Sequence, residues 1–405
     1  MVNSVLIHGP VGEPNSISKI NRETALALER LGYDVGVKRT DEPDDDPDML
    51  RLGQQAQDSR FHFCWDEFSG SGKSQPVGWS CRFGNDHRSA RGFLFDKFEC
   101  DASWLKRVPK YDFIAAPSLH SAEWLRQGTE DREGLPNVVY APLGVRSDIY
   151  YRDDEHEEDY GTTQKFGREL AWSENPLWLL HCGTLRMRKG TRELLEAYRL
   201  AFPTEQDVLL MIQAGDAPWP GQLFAREILT GTQAGHGGPP IRFIERTLTV
   251  AQQRFLYGLA DVTVLPNYLE GFGLVALESM ACGTPVVMPT HSGNLDTFSR
   301  DCCWGLREFG TELVTGVRQK CNWHPPNIDE LAATLRHIYD HRDEIDQKSA
   351  CCRAHALRYS WDVTAKAIAD AYGLRPVRRR SLGLDKSVEM SDTTRYGHHE
   401  RGRSS

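Results

Sequence analysis

The segment richest in chemistry runs Asn267-Tyr268-Leu269-Glu270-Gly271-Phe272-Gly273-Leu274-Val275-Ala276-Leu277-Glu278 and closes with Cys282-Gly283-Thr284-Pro285. Two carboxylates, Glu270 and Glu278, flank a glycine loop. Gly271 and Gly273 let the main chain come close to a ligand, and the free N–H groups of a helix opening there form an anion site without side chains. A phosphate or a sugar hydroxyl fits. Glu278 lies later on that helix than Glu270, so the two suit separate parts of one extended ligand, and ribose hydroxyls suit a carboxylate acceptor. A second segment, His181-Cys182-Gly183-Thr184-Leu185-Arg186-Met187-Arg188-Lys189-Gly190, carries three cations into the start of a helix. Cations there disfavour a helix by roughly a few tenths of a kcal/mol, so three together call for an anionic partner such as a diphosphate, the bland alternative being a solvated basic loop.

The elements that must position these residues read best in the second half. Periodicity predicts strands at Trp178–Cys182, Val208–Ala214, Ile241–Ile244, Asp261–Leu265 and Pro285–Met288, and helices at Gly190–Leu200, Val250–Leu259 and Gly273–Cys282, the last ended by Gly283. Strands alternating with helices imply a mostly parallel sheet. The first half opens with a strand ending at Ile7, a loop containing Gly9 and Gly12, a helix through Ile20, Leu26, Ala27 and Leu31 stopped by Gly32, and a strand at Tyr33–Val37. That is the start of a doubly wound unit, in which ligands sit beyond the carboxyl ends of the strands. Asp41 to Asp48 reads as an acidic solvated loop, its Asp46-Pro47-Asp48 a weak metal candidate. Between Arg51 and Lys110 only Phe61–Trp65 reads as a strand; Asp112–Ala116, a helix from Ser118 to Gly128 and Asn137–Tyr140 follow.

The charge run Asp153 to Asp159 and the polar stretch to Pro176 predict a connection between two α/β domains, with the boundary near Tyr160 to Asn175. The expected division is 1–165, 166–350, a pair of closing helices at 351–374 that returns to the first domain, and a disordered basic tail at 375–405. The length of 405 residues accommodates two domains, and the net charge of −9 gives no general attraction for nucleic acid. Apolar runs such as Gly271–Leu277 are too short for a membrane span, and the first residues lack a basic flank and cleavage site, so a cytoplasmic protein is expected. The tail arginines could meet an anionic membrane surface. None of the ten cysteines forms a C-x-x-C pattern, and they read as reduced thiols.

These patterns resemble the retaining glycosyltransferases of family four, most strongly across Leu177 to Pro289. Glu270 to Glu278 match E-G-F-G-L-x-x-x-E, and Gly183 to Gly190 match G-x-L-x-x-x-K-G. Ala115-Ala116-Pro117-Ser118, Ala141-Pro142-Leu143-Gly144-Val145 and Tyr359-Ser360-Trp361 follow the family order. The resemblance implies the GT-B fold of two facing Rossmann-like domains and transfer of a sugar from a UDP-, GDP- or ADP-linked donor, without metal or other cofactor. It implies that Glu278 holds the donor ribose, that Glu270 and the amides of Gly271, Phe272, Gly273 and Leu274 hold the sugar, and that Lys189 holds the diphosphate. The Gly9 to Gly12 loop would close over the cleft. Many members carry an arginine where this chain has Thr184, which leaves Arg186 or Arg188 to supply the guanidinium. Many also carry a cleft histidine in the first domain, for which His62, His87 and His120 are the candidates. Two other classes are weighed: a nucleotide-sugar-binding protein without catalysis, motivated by Thr184, and an NAD-dependent enzyme, which the Gly9 loop supports only weakly because it lacks G-x-G-x-x-G.

Overall fold

The computed structural model describes residues 4–12, 16–41, 45–67, 88–94, 111–129, 135–152, 176–214, 238–244, 247–310, 312–314 and 321–376. The expected connection at 160–175, His87 and the tail from residue 377 onward lie outside them.

The chain opens with β1 (Ser4–Gly9), α1 (Ser16–Arg30), β2 (Asp34–Arg39), α2 (Pro47–Leu52), β3 (Phe61–Glu67), β4 (Arg88–Leu94), β5 (Phe113–Ala116), α3 (Leu119–Thr129) and β6 (Asn137–Tyr140). These six strands form one parallel sheet in the order β2-β1-β3-β4-β5-β6. Helix α1 buries Ile20, Ala27 and Leu28, together with polar Asn21 and Thr24. Burying those two amide and hydroxyl groups requires partners. Asn21 Oδ1 accepts the Trp65 N–H at 3.1 Å, its Nδ2 donates to the Pro10 carbonyl, and Trp65 Nε1 donates to Thr24 at 3.0 Å. A side chain at Gly9, whose φ is +138°, would run into Asn21.

The second half continues with β7 (Leu177–Cys182), α4 (Thr191–Ala201), β8 (Val208–Gln213), β9 (Ile241–Ile244), α5 (Val250–Leu259), β10 (Val262–Val264), α6 (Leu274–Ala281), β11 (Val286–Pro289), α7 (Asn294–Thr297) and β12 (Cys303–Leu306). Its sheet is parallel too, in the order β12-β11-β10-β7-β8-β9. Strand order reverses between β7 and β10, which makes the loops leaving those two strands the walls of the ligand crevice. A hairpin of β13 (Glu312–Val314) and β14 (Cys321–Trp323) precedes α8 (Ile328–Asp340), α9 (Asp343–Ala356) and α10 (Trp361–Tyr372). Helix α9 runs across position 350 and packs on α6, whereas α10 packs on α1 of the first half. Ser360 caps α10, the Val145 N–H donates to the Tyr359 carbonyl at 3.0 Å, and the Tyr372 hydroxyl donates to the His62 carbonyl. Gly144 is glycine because a Cβ there would strike the backbone of Trp361.

Two readings of the first half need correction. Asp41 to Asp48 is not merely solvated: Asp46 caps α2 through the N–H groups of Asp48 and Met49, with Pro47 at its first position, where the missing N–H costs nothing. Strand β4 is a further strand in the stretch where only Phe61–Trp65 was expected. Arg88-Ser89-Ala90-Arg91-Gly92-Phe93-Leu94 has no apolar alternation, and pairing with β3 and β5 on both sides defines it. Among the described residues no disulfide forms, and no helix is long and apolar enough to cross a membrane.

Candidate active site

The basic loop after β7 and the glycine loop after β10 are stitched together by backbone. Buried His181 on β7 donates from Nδ1 to the Val264 carbonyl at 2.8 Å and accepts the Thr191 hydroxyl at Nε2, which ties β7 to β10 and to the start of α4. Burial pushes the His181 imidazole down to about 4, so it stays neutral. The Tyr268 N–H donates to the Arg188 carbonyl at 2.9 Å. Gly190, at φ +69°, opens α4 so close to Pro266 that a side chain would strike the Pro266 carbonyl. The stitching brings Lys189 Nζ to 2.7 Å from Glu270 Oε2 and Arg188 Nη1 to 3.7 Å from the same oxygen. Arg186 is exposed, and so is Thr184. The guanidinium at Glu270 is therefore that of Arg188.

The far side of the glycine loop rests on the turn after β11. The Glu270 N–H donates to Ser292 Oγ at 3.2 Å and the Gly293 N–H to the Glu270 carbonyl at 2.9 Å. Gly273, at φ +97°, begins α6 with no side-chain cap, so the first-turn N–H groups point out of the helix end beside Gly271 and Phe272. The first helical bond runs from the Leu277 N–H to the Gly273 carbonyl. One turn inward, Glu278 is 2% exposed. Its Oε1 lies 2.5 Å from Lys19 Nζ, and its Oε2 accepts the Tyr257 hydroxyl at 3.2 Å. Lys19 also donates to the Tyr150 hydroxyl at 2.9 Å. Burial alone would lower the Lys19 ammonium, but Glu278 and Tyr150 outweigh it and hold it above the ordinary lysine range. Burial, then the Glu278 charge, pushes the Tyr257 and Tyr150 phenols up.

At the Gly9 to Gly12 loop, the N–H groups of Val11 and Gly12 donate to Asp41 Oδ2 at 2.9 and 2.6 Å. Burial works against the Asp41 carboxylate, yet these two amides and Arg39 hold it below the usual range. His62 is a core residue. Its Nε2 donates to the Ser59 carbonyl, which leaves Nδ1 to accept from His8 Nε2 at 2.8 Å. Burial, then His62, pushes His8 down to about 3. His120 lies in the first turn of α3, with its imidazole lowered first by burial despite Glu123, and further by His324. His324 in turn meets the His291 ring at 5.6 Å, on the turn that supports Glu270.

Lys19, Tyr150, Tyr257 and Asp41 escape the sequence reading. Each lies in a segment whose local pattern is explained by helix, turn or solvent, and only contact across 21 to 259 positions gives them a role.

Two Rossmann-like sheets, with the basic loop and the glycine loop at the strand-order reversal of the second, constitute the GT-B fold. Residues 163–302 match the family described as glycosyl transferases group 1. It is similar to the D-inositol 3-phosphate glycosyltransferase of Thermobispora bispora, at 40% identity over 29% of this chain and 23% of that protein. A namesake from Geodermatophilus obscurus is 34% identical over 51% of this chain and 42% of that protein. The chain thus aligns with less than half the length of these relatives. Among solved structures, Anabaena HepE in complex with UDP-glucose shares the fold, with a TM-score of 0.66 at 16% identity over 91% of this chain and 99% of that one.

Proposed function

We propose that this chain transfers a glycosyl group from a nucleoside diphosphate sugar to an acceptor, with retention at the anomeric carbon and without a metal ion. The observation that carries the reading is the convergence of Lys189, Arg188 and Glu270 beside the uncapped start of α6, with Glu278 one turn behind. Charge develops on the diphosphate as the glycosidic bond breaks, so cations and N–H groups fixed in place before the reaction stabilise the transition state more than the ground state. Glu270, held between Lys189 and Arg188, faces the sugar. Glu278 takes the ribose hydroxyls. The names of the relatives make a phosphorylated polyol the first acceptor class to test.

The test incubates the protein with UDP-, GDP- and ADP-sugars, with and without D-inositol 3-phosphate, and follows released nucleoside diphosphate and glycosylated product. Turnover with one nucleotide class, undiminished by EDTA, is expected. Absence of turnover with every donor, with or without that acceptor, overturns the transferase reading, and loss on chelation with rescue by manganese overturns its metal-independent chemistry.

A further inference from the structure

The carboxylate assigned to the ribose does not stand alone. Among the described residues, Glu278 has a single cationic partner, Lys19 Nζ at 2.5 Å, and that lysine belongs to the first turn of α1 in the other domain, 259 positions away in sequence. Its own domain supplies only the neutral Tyr257 hydroxyl. A carboxylate as buried as Glu278 is costly without a counter-charge, so its orientation depends on the neighbouring domain being in place. Lys19 is itself fixed on its second side by Tyr150 at 2.9 Å, and 28% of its side chain stays accessible.

We propose that Lys19 is a positioning residue for the nucleotide: it holds Glu278 in one orientation across the domain interface, so that recognition of the ribose hydroxyls requires both domains. This rests on the assignment of Glu278 to ribose. Binding and closure then become coupled, because a ribonucleotide gains its full contact with Glu278 only where Lys19 is docked. The diphosphate, held by Lys189, Arg188 and the helix end, does not draw on Lys19.

Calorimetric titration of wild type, Lys19→Met and Lys19→Arg separates these contributions. The ligands are whichever of UDP, GDP or ADP binds, its 2′,3′-dideoxy counterpart, and inorganic pyrophosphate. Wild type is expected to prefer the ribonucleotide over the dideoxy form by on the order of tenfold or more. Lys19→Met is expected to reduce that preference to within about threefold while leaving pyrophosphate affinity unchanged, and Lys19→Arg to restore part of it, which a general loss of folding would not do. If Lys19→Met keeps the wild-type preference, the positioning role fails while the nucleotide reading stands. A drop in pyrophosphate affinity overturns it in favour of direct phosphate contact, and tighter ribonucleotide binding overturns it in favour of a plug. If wild type binds no nucleotide, the functional reading itself falls, a result distinct from the others.

Discussion

Glu270 and Glu278 are one motif in sequence but two environments in space. Glu270 is partly open and sits between two cations of its own domain; Glu278 is buried and paired with a cation of the other. Their substitutions should therefore separate. Glu278→Gln removes the charged acceptor and should weaken nucleoside diphosphate binding by on the order of 1.5–3 kcal/mol. Glu270→Gln should leave that affinity within about threefold while turnover falls strongly, because a contact at the reacting sugar is expressed in the rate constant. Titration and initial rates on the two variants check this; equal nucleotide affinity in wild type and Glu278→Gln removes the ribose assignment. Glu278→Gln also leaves the Lys19 ammonium without its counter-charge, so melting temperatures must accompany the titrations.

At the scale of elements, the crevice depends on the pairing of β7 with β10. Asp261, just before β10, extends that pairing: its Oδ2 accepts the Trp178 N–H at 2.7 Å and its own N–H donates to the Trp178 carbonyl. Burial outweighs the hydrogen bond and pushes the carboxyl up to about 6. The folded state thus binds this proton more tightly than the unfolded chain does. The group's contribution to stability is fully present below about pH 4 and is lost as pH rises through 6. Asp261→Asn keeps an oxygen acceptor for Trp178 but has no charge to bury. Its stability relative to wild type should rise by on the order of 1–3 kcal/mol between pH 4 and pH 7.5. Denaturant titrations across that range check it, and an offset that stays constant with pH contradicts the argument.

For the whole molecule, some contacts between the two domains lie beside the glycine loop. Asp296 on α7 accepts the Leu119 N–H at the start of α3, at 3.0 and 3.1 Å, and the Tyr140 hydroxyl at 2.8 Å. Leu269, next to Glu270, packs with Ile114, Ala122 and Leu125 of the first domain. A change of domain spacing therefore acts on the glycine loop. Asp296→Ala leaves the Leu119 N–H and Tyr140 hydroxyl without their carboxylate and should increase the radius of gyration of the empty protein in small-angle scattering, with recovery on addition of nucleotide. Unchanged scattering would show that the remaining contacts suffice to hold the interface.

Much of this was legible in the chain itself. Asn137–Tyr140, Ile241–Ile244 and Val250–Leu259 fall at the positions that periodicity assigns, and Gly190, Gly273 and Gly283 take the left-handed conformations that glycine at a loop or helix end implies. These are properties of short segments, and the expectation of an anion site rests on the spacing of Glu270, Glu278 and Lys189 within such segments. The tertiary structure alone decided which arginine reaches Glu270, that His62 is spent in the core, that Asp41 holds the Val11 and Gly12 amides, and that Glu278 answers to Lys19. Those outcomes depend on distances between side chains tens to hundreds of positions apart, which hydrophobic period and backbone preference do not encode.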